Sequence, residues 1–315
     1  MYVIMYHYVR KLKGSRYSGI KGLELDFFRK QLAFLLQNGF RFVTLEDILQ
    51  GRTLSSESVL MTFDDGYIDH YLNVFPLLEQ NGIYGVFSMP GKILRERKIL
   101  DVNKIHFILA EADVQVVKAK LFQKLDAYRS TEFSYASNQD LYKKLAIPGR
   151  YDGKDTIFVK RILQAELPER LRNMICDELF RELVADQESA FVDELYMSMD
   201  QIWTMRRHGM AFAVHGYDHY WMDRLSEQEL RNDLTNALDV FDGIIDADSW
   251  TNCYPYGACT DNVIRVSKEL GAAAGMGTTA AVYHPEQDDI FKIPRLDTND
   301  FPPKSSHYVT IGKDD

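Results

Sequence analysis

Apolar residues along this chain follow two alternating rhythms. Short apolar and β-branched runs predict strands at Met1–Tyr6, Val59–Phe63, Tyr84–Met89, Ala211–Val214 and Thr251–Tyr254. Between them, apolar residues spaced three and four apart predict amphipathic helices. One module recurs: a helix, a glycine, one apolar residue, then a strand. Helix 26–37 leads through Asn38-Gly39-Phe40 into Arg41–Val43, and helix 69–80 through Asn81-Gly82-Ile83 into Tyr84–Met89. Helix 200–207 leads through His208-Gly209-Met210 into Ala211–Val214, and helix 261–269 through Leu270-Gly271-Ala272 into Ala273–Met276. Each glycine fits the left-handed position that ends a helix and turns the chain back. Strands that alternate with helices imply a parallel sheet, so the fold class expected is α/β. Closed into a ring the module makes a barrel; left open it makes a doubly wound sheet.

Two more helices have readable starts. Thr44 caps a short helix to Leu49, and Ser226 with Glu229 forms a capping box for a helix to about Phe241. A last strand is expected at Asp289–Ile293. From about residue 92 to 197 the module lapses, and helical patterns run over 103–110, 114–128, 139–145, 156–167 and 168–185, with Pro168 well placed at a helix start. The interval reads as a helical insertion within one domain.

Bulk composition narrows the function classes. A chain of 315 residues holds one barrel-sized domain with an insertion, or two ordinary domains, and 46% hydrophobic with 26% charged residues is the make-up of a globular protein. A net charge of -9 without any dense basic run argues against nucleic acid as a partner. Apolar stretches are strand-length and interrupted, so no membrane span is expected. The first residues read as a strand and not as a signal peptide, and the cysteines (Cys176, Cys253, Cys259) match no zinc-finger spacing. These features favour a cytoplasmic, reduced protein.

The strand at Val59–Phe63 ends in Asp64-Asp65-Gly66. Adjacent carboxylates repel, and burying them uncompensated costs roughly several kcal/mol. A metal ion would resolve this by ligating one carboxylate and leaving the other as a base. His215-Gly216-Tyr217-Asp218-His219 also starts at a strand end, and histidines four apart can converge on one cation. In a parallel barrel all C-terminal strand ends share one face. Asp65, His215 and His219 then form a two-imidazole, one-carboxylate set suited to catalytic zinc. A third strand-end feature is Cys253-Tyr254-Pro255-Tyr256-Gly257, a turn that would aim the Tyr256 amide at an oxyanion.

Together these residues carry a resemblance. Thr62–Tyr67, His215–His219 and Tyr254–Gly257, in this order, resemble the first three motifs of the polysaccharide deacetylase family (the NodB-homology fold, carbohydrate esterase family four). Met5–Val9 and Ile293–Leu296 resemble one branch of it. The likeness covers residues 1–91 and about 198–300. It implies a distorted (β/α) barrel of parallel strands spanning 1–315, with a long helical insertion at about 92–197. It also implies metal-dependent hydrolysis of an N-acetyl group on a sugar. By motif position Asp65, His215 and His219 would hold a divalent metal, Zn2+ first among candidates, with Asp64 as general base and the Tyr256 amide stabilising the oxyanion.

The sequence departs from the family pattern twice. Many members carry Arg three residues before the proline of the third motif, where this chain has Asn252; Arg295 is the candidate to take over by reaching Asp64 from a neighbouring strand end. Many also carry a Leu-x-x-x-His near the last strand that supplies a general acid, with no clean match here; His7 and His284 are the candidates. The expected partner is an N-acetylated saccharide, either a polymer or oligomer or a nucleotide- or lipid-linked precursor. An amino-sugar deformylase or amidase using the same metal chemistry is one alternative, and a non-hydrolytic carbohydrate-binding relative is the other.

Overall fold

Seven consecutive buried residues, Ser58–Asp64, form an interior strand of the main sheet. The computed structural model describes residues 1–149 and 152–311. The chain divides into two compact units: one takes Met1–Lys11, Gly22–Arg97 and the chain from Asp193 onward, the other Leu12–Lys21 and Lys98–Val192. Strands, in chain order, are β1 (Tyr2–Tyr6), β2 (Val9–Arg10), β3 (Leu23–Glu24), β4 (Arg41–Phe42) and β5 (Ser58–Asp64). They continue as β6 (Val86–Met89), β7 (Ala211–Val214), β8 (Trp250–Cys253), β9 (Ala272–Met276) and β10 (Leu296–Asp297). Helices begin with α1 (Leu25–Gln37), α2 (Leu45–Leu49), α3 (Phe75–Gln80) and α4 (Lys92–Arg95). Next come α5 (Asp101–Glu111), α6 (Val114–Arg129), α7 (Asn138–Leu145), α8 (Lys154–Arg161), α9 (Glu169–Leu183) and α10 (Glu188–Leu195). The last are α11 (Met199–Arg207), α12 (Glu227–Val240) and α13 (Asp261–Glu269).

The main sheet runs β10-β1-β5-β6-β7-β8-β9, with β4 also on β5, and its pairings are parallel. A parallel bridge from Met276 to Ile293 carries β9 round to the segment that enters β10. The sheet therefore curls into the distorted α/β barrel expected from the sequence. Val3, Leu60, Val86, Ala213, Ala274, Met276 and Ile293 pack as one buried cluster, the dry part of the core. β2 and β3 form a separate two-stranded parallel ribbon.

The repeated glycines do what the module requires. Gly39, Gly82, Gly209 and Gly271 all have positive φ. The next amide then bonds back into the last helical turn, as Phe40 N to Leu35 O at 3.1 Å and Met210 N to Met205 O at 3.0 Å show.

Three expectations need correction. Helix 69–80 is not regular: a widened turn, His70–Val74, precedes α3. Pro76 lies in the first turn of α3 and has no amide to donate to the preceding turn, so the hydrogen-bond ladder shifts there. The strand expected at Asp289–Ile293 is a tight turn at Ile290–Lys292, because the Asp289 carboxylate accepts from Phe291 N at 2.9 Å; the strand comes later, as β10. Tyr84 and Gly85 stay outside β6, and Tyr84 is exposed.

The second unit holds α5 to α9 around a core of its own, with Val117, Leu121, Leu125, Phe158, Ile175 and Leu179 fully buried. α10 went unpredicted, as did the short α4. Within this unit Lys104, itself buried, is satisfied by Asp177 at 2.5 Å and Glu188 at 3.2 Å.

Gly271 offers a test of the module. Its φ is 93°, and a Cβ there would run into the backbone carbonyl oxygen of Ala247. Gly271→Ala is expected to lower unfolding stability by about 2–3 kcal/mol, from left-handed strain and the backbone clash. The midpoint of a urea denaturation curve measures it.

Candidate active site

Asp64 is the last residue of β5, and Asp65 follows with φ 75°. The reversal matters: strand alternation aims Asp64 into the barrel, and the left-handed turn swings Asp65 elsewhere. Both are buried, at 1% and 2% exposure, so neither charge is relieved by water.

Asp65 meets the histidines. Its Oδ1 lies 3.4 Å from His215 Nε2 and 3.2 Å from His219 Nε2. The Asp65 Oδ1 atom is buried and makes no hydrogen bond. Three ligand atoms therefore crowd one point without being bonded to each other. Tetrahedral zinc with bonds of about 2.0–2.1 Å would separate its ligand atoms by roughly 3.3 Å, so this set fits such an ion. Burial alone would raise the Asp65 carboxyl's pKa, but the two imidazoles hold it well below the usual range. Burial lowers the pKa of His219.

The ligands are set by groups behind them. His215 Nδ1 donates to the Cys253 carbonyl at 2.5 Å, which fixes its tautomer and leaves Nε2 as a donor atom for a metal. The Tyr67 hydroxyl donates to Asp65 Oδ2 at 2.6 Å. Asp233 of α12 accepts from Tyr217 N at 2.9 Å and Asp218 N at 3.0 Å, pinning the loop between the histidines. Gly216 gives that carboxylate room: its φ is 69°, and a Cβ there would press on Asp233 Oδ2.

Asp64 has a different environment. Arg295 grips it with a hydrogen bond from Nη1 to Oδ1 at 2.9 Å and an ion-pair contact of Nη2 with Oδ2 at 2.8 Å. Both side chains are nearly inaccessible. Burial pushes the Asp64 pKa up, yet Arg295 and then His215 outweigh it and keep the group ionised. Arg295 also donates to Gly277 O and Thr62 Oγ1. Oδ1 takes a second contact from the Cys253 thiol at 3.4 Å, whereas Oδ2 meets Arg295 Nη2 as an ion pair and keeps a lone pair.

The remaining candidates separate cleanly. Asn252 turns away from the carboxylates and donates to Ser267 Oγ in α13 at 3.0 Å, while its neighbour Cys253 faces Asp64. His7 is half-buried just beyond β1, and because Tyr6 is the register partner of Phe63 it stands at the same strand-end level as Asp64. His284 is exposed at the opposite end of the barrel, next to Tyr283, whose carbonyl accepts from the Met1 amino group. Tyr256 has φ 58°, stacks on Trp221 at 4.6 Å and lies edge-on to His219 at 4.9 Å.

Sequence reasoning missed Tyr67, Asp233 and Cys253 as supporting groups. Only Asp233 had a signal of its own: it occupies the buried stripe of α12 with Leu230, Leu234 and Ala237, where a carboxylate needs a reason.

Two outcomes are expected. Arg295→Met strands a buried charge and should cost about 3–5 kcal/mol in urea denaturation, most of it recovered in the double variant with Asp64→Asn. Because the Asp64 pKa lies below its unfolded value of about 3.9, this contribution is present above that pH and is lost as pH falls through the folded value. Asp233→Ala should weaken metal affinity about 10- to 100-fold, read by competition with a chromogenic chelator.

Comparison with known proteins gives a consistent picture. A family model described as polysaccharide deacetylase matches residues 179–275, a span that includes His215, His219 and Tyr256 but not the two aspartates. YxkH of Bacillus subtilis (strain 168), named for the polysaccharide deacetylases, is 29% identical over 94 residues, which is 29% of this chain and 32% of that protein. The poly-beta-1,6-N-acetyl-D-glucosamine N-deacetylase of Escherichia coli (strain K12) is 40% identical over 55 residues, 16% of this chain and 8% of that protein. The chain thus matches about a third or less of these relatives' length. The deacetylase PplD of Streptococcus pyogenes, solved in complex with acetate, is similar with a TM-score of 0.60 at 13% identity, covering 98% of this chain and 96% of that one. IcaB from Ammonifex degensii gives 0.54 at 19% identity, covering 93% and 90%. At such identities the solved structures speak for the fold alone. The resemblance expected from the motifs is borne out.

Proposed function

We propose, from this kinship with the polysaccharide deacetylases, that the chain is a metal-dependent hydrolase that removes the N-acetyl group of an amino sugar. Its substrate would be a poly- or oligosaccharide or an activated sugar precursor. The observation that carries the reading is the convergence of Asp65, His215 and His219 on one point, with an unbonded carboxylate oxygen, beside a second and separately held carboxylate.

A divalent cation, Zn2+ by preference, held by Asp65, His215 and His219 would polarise the acyl oxygen and acidify a water molecule. Asp64 takes the proton of the attacking water through the free lone pair on Oδ2. Arg295 keeps that carboxylate ionised and fixed in direction, so it is ready as a base at neutral pH. The Tyr256 amide, on the left-handed turn beside His219, is assigned to the oxyanion that forms at the acyl carbon. His7, on the same rim as the carboxylates, supplies the proton that the departing amine needs. The free amine of the sugar and acetate leave as products.

A cytoplasmic setting remains part of the proposal, supported by the free state of Cys176, Cys253 and Cys259.

Metal content and acetate release decide the reading together. Wild type loaded with Zn2+ is expected to bind one equivalent and to release acetate from N-acetylglucosamine oligomers or a nucleotide-linked precursor. Asp64→Asn should keep the metal and lose activity by about 100-fold or more. Formate released instead from N-formyl sugars would make the protein a deformylase. Saccharide binding without any release would make it a binding protein, and failure to bind metal would remove the hydrolase reading.

A further inference from the structure

Beyond its ladder with β3, the segment that carries His7 is held by side chains of residues 69–73. Asp69 Oδ2 accepts from Val9 N at 3.2 Å and from Arg10 Nε at 2.7 Å. Asn73 Nδ2 donates to Val9 O at 2.8 Å. His70 Nε2 lies 2.9 Å from His7 O, and since a carbonyl can only accept, Nε2 carries the proton. Asp69 immediately precedes the widened turn His70–Val74, and His70 and Asn73 belong to it. Such widened turns recur at functional sites.

His70 is an odd residue for its place if packing were its only task. It is fully buried against Phe63, Tyr67 and Phe87. Its Nδ1 atom has no hydrogen-bond partner. Burying an imidazole with one bare nitrogen carries a penalty that phenylalanine in the same space would avoid. Burial also lowers its pKa to about 4, so the ring is neutral and serves as a donor. What His70 does that phenylalanine could not is hold the His7 carbonyl.

The same stretch also orients the Asp65 side. Tyr67 donates to Asp65 Oδ2 and stacks on Tyr8, the neighbour of His7, at 3.9 Å and 21°. Residues 67–73 therefore touch both a ligand carboxylate and the backbone of His7 and Val9.

We propose that residues 67–73 act as a clamp that sets His7 against the carboxylates, with His70 as the positioning residue that fixes the His7 backbone. This rests on the reading of His7 as the group that protonates the departing amine. His70 itself does not touch substrate; it acts through His7.

The test pairs hydrogen exchange with kinetics on the Zn2+-loaded protein. In His70→Phe, amides of residues 8–10 should exchange at least about tenfold faster while β5 to β7 keep their protection. In His70→Gln, whose amide can donate over a similar reach, protection should return. With acetate release from an N-acetylglucosamine oligomer as the readout, His70→Phe should lower kcat about tenfold at unchanged KM and metal content. The double variant with His7→Ala should be no slower than His7→Ala alone, because both changes remove one function. Unchanged exchange at residues 8–10 in His70→Phe overturns the clamp, and that arm needs no substrate. Losses that multiply in the double variant overturn it too, since His70 would then act elsewhere. A slow His7→Ala beside a fully active His70→Phe removes the clamp and leaves His7 its role. Full turnover by His7→Ala removes both.

Discussion

Two neighbouring carboxylates, both buried, set the terms for the rest of this protein. In one shared field they could not both stay ionised at neutral pH. The chain separates them by a single backbone reversal after β5: Asp64 keeps the strand's alternation and faces Arg295, whereas Asp65 turns towards His215 and His219. Each then has a cationic or cation-seeking surrounding of its own. One carboxylate is held as a base and the other as a ligand, and β7, β8 and the segment before β10 are positioned to supply the partners.

Keeping that reversal requires strain to be held in place. Asp65, His219 and Tyr256 are non-glycine residues with φ of 75°, 60° and 58°. Each costs about 1 kcal/mol or more, and such residues persist only where their surroundings over-determine them. Here Tyr67 holds Asp65, Asp233 holds the loop leading to His219, and Trp221 covers Tyr256. Protein groups alone thus define the directions of these turns, which is what preorganised electrostatic stabilisation requires.

Resemblance and physics also inform each other about the exchange of an arginine for an asparagine. Asn252 does not face the carboxylates; the β8 residue that does is Cys253, too short and uncharged to neutralise Asp64. Arg295 fills the role from across the barrel mouth, because the Met276–Ile293 bridge brings its segment next to β9 while β10 pairs with β1. One charge is supplied from a different strand end, and the balance around the carboxylate is kept.

Local physics made much of this legible in the sequence. The helix–glycine–strand module follows from left-handed glycine and alternating periodicity, so β4, β7, β9 and their preceding helices could be written down with small boundary errors. Strand-end placement alone grouped Asp64, Asp65, His215, His219 and Tyr256, since a parallel barrel puts every C-terminal end on one rim. Elements whose form depends on a neighbour were not legible in this way: the widened turn before α3, the displaced last strand, and α10. His7 and His284 looked equivalent as histidines near strands, and only the path of the chain puts one at the rim and the other at the far end. Asp233, Tyr67 and the Cys253 carbonyl reach the site through the pairing of distant segments. A sequence fixes which groups end a strand, because that is a matter of a few adjacent residues. Which group stands behind them depends on contacts between residues tens to hundreds of positions apart, and tertiary structure alone decides that.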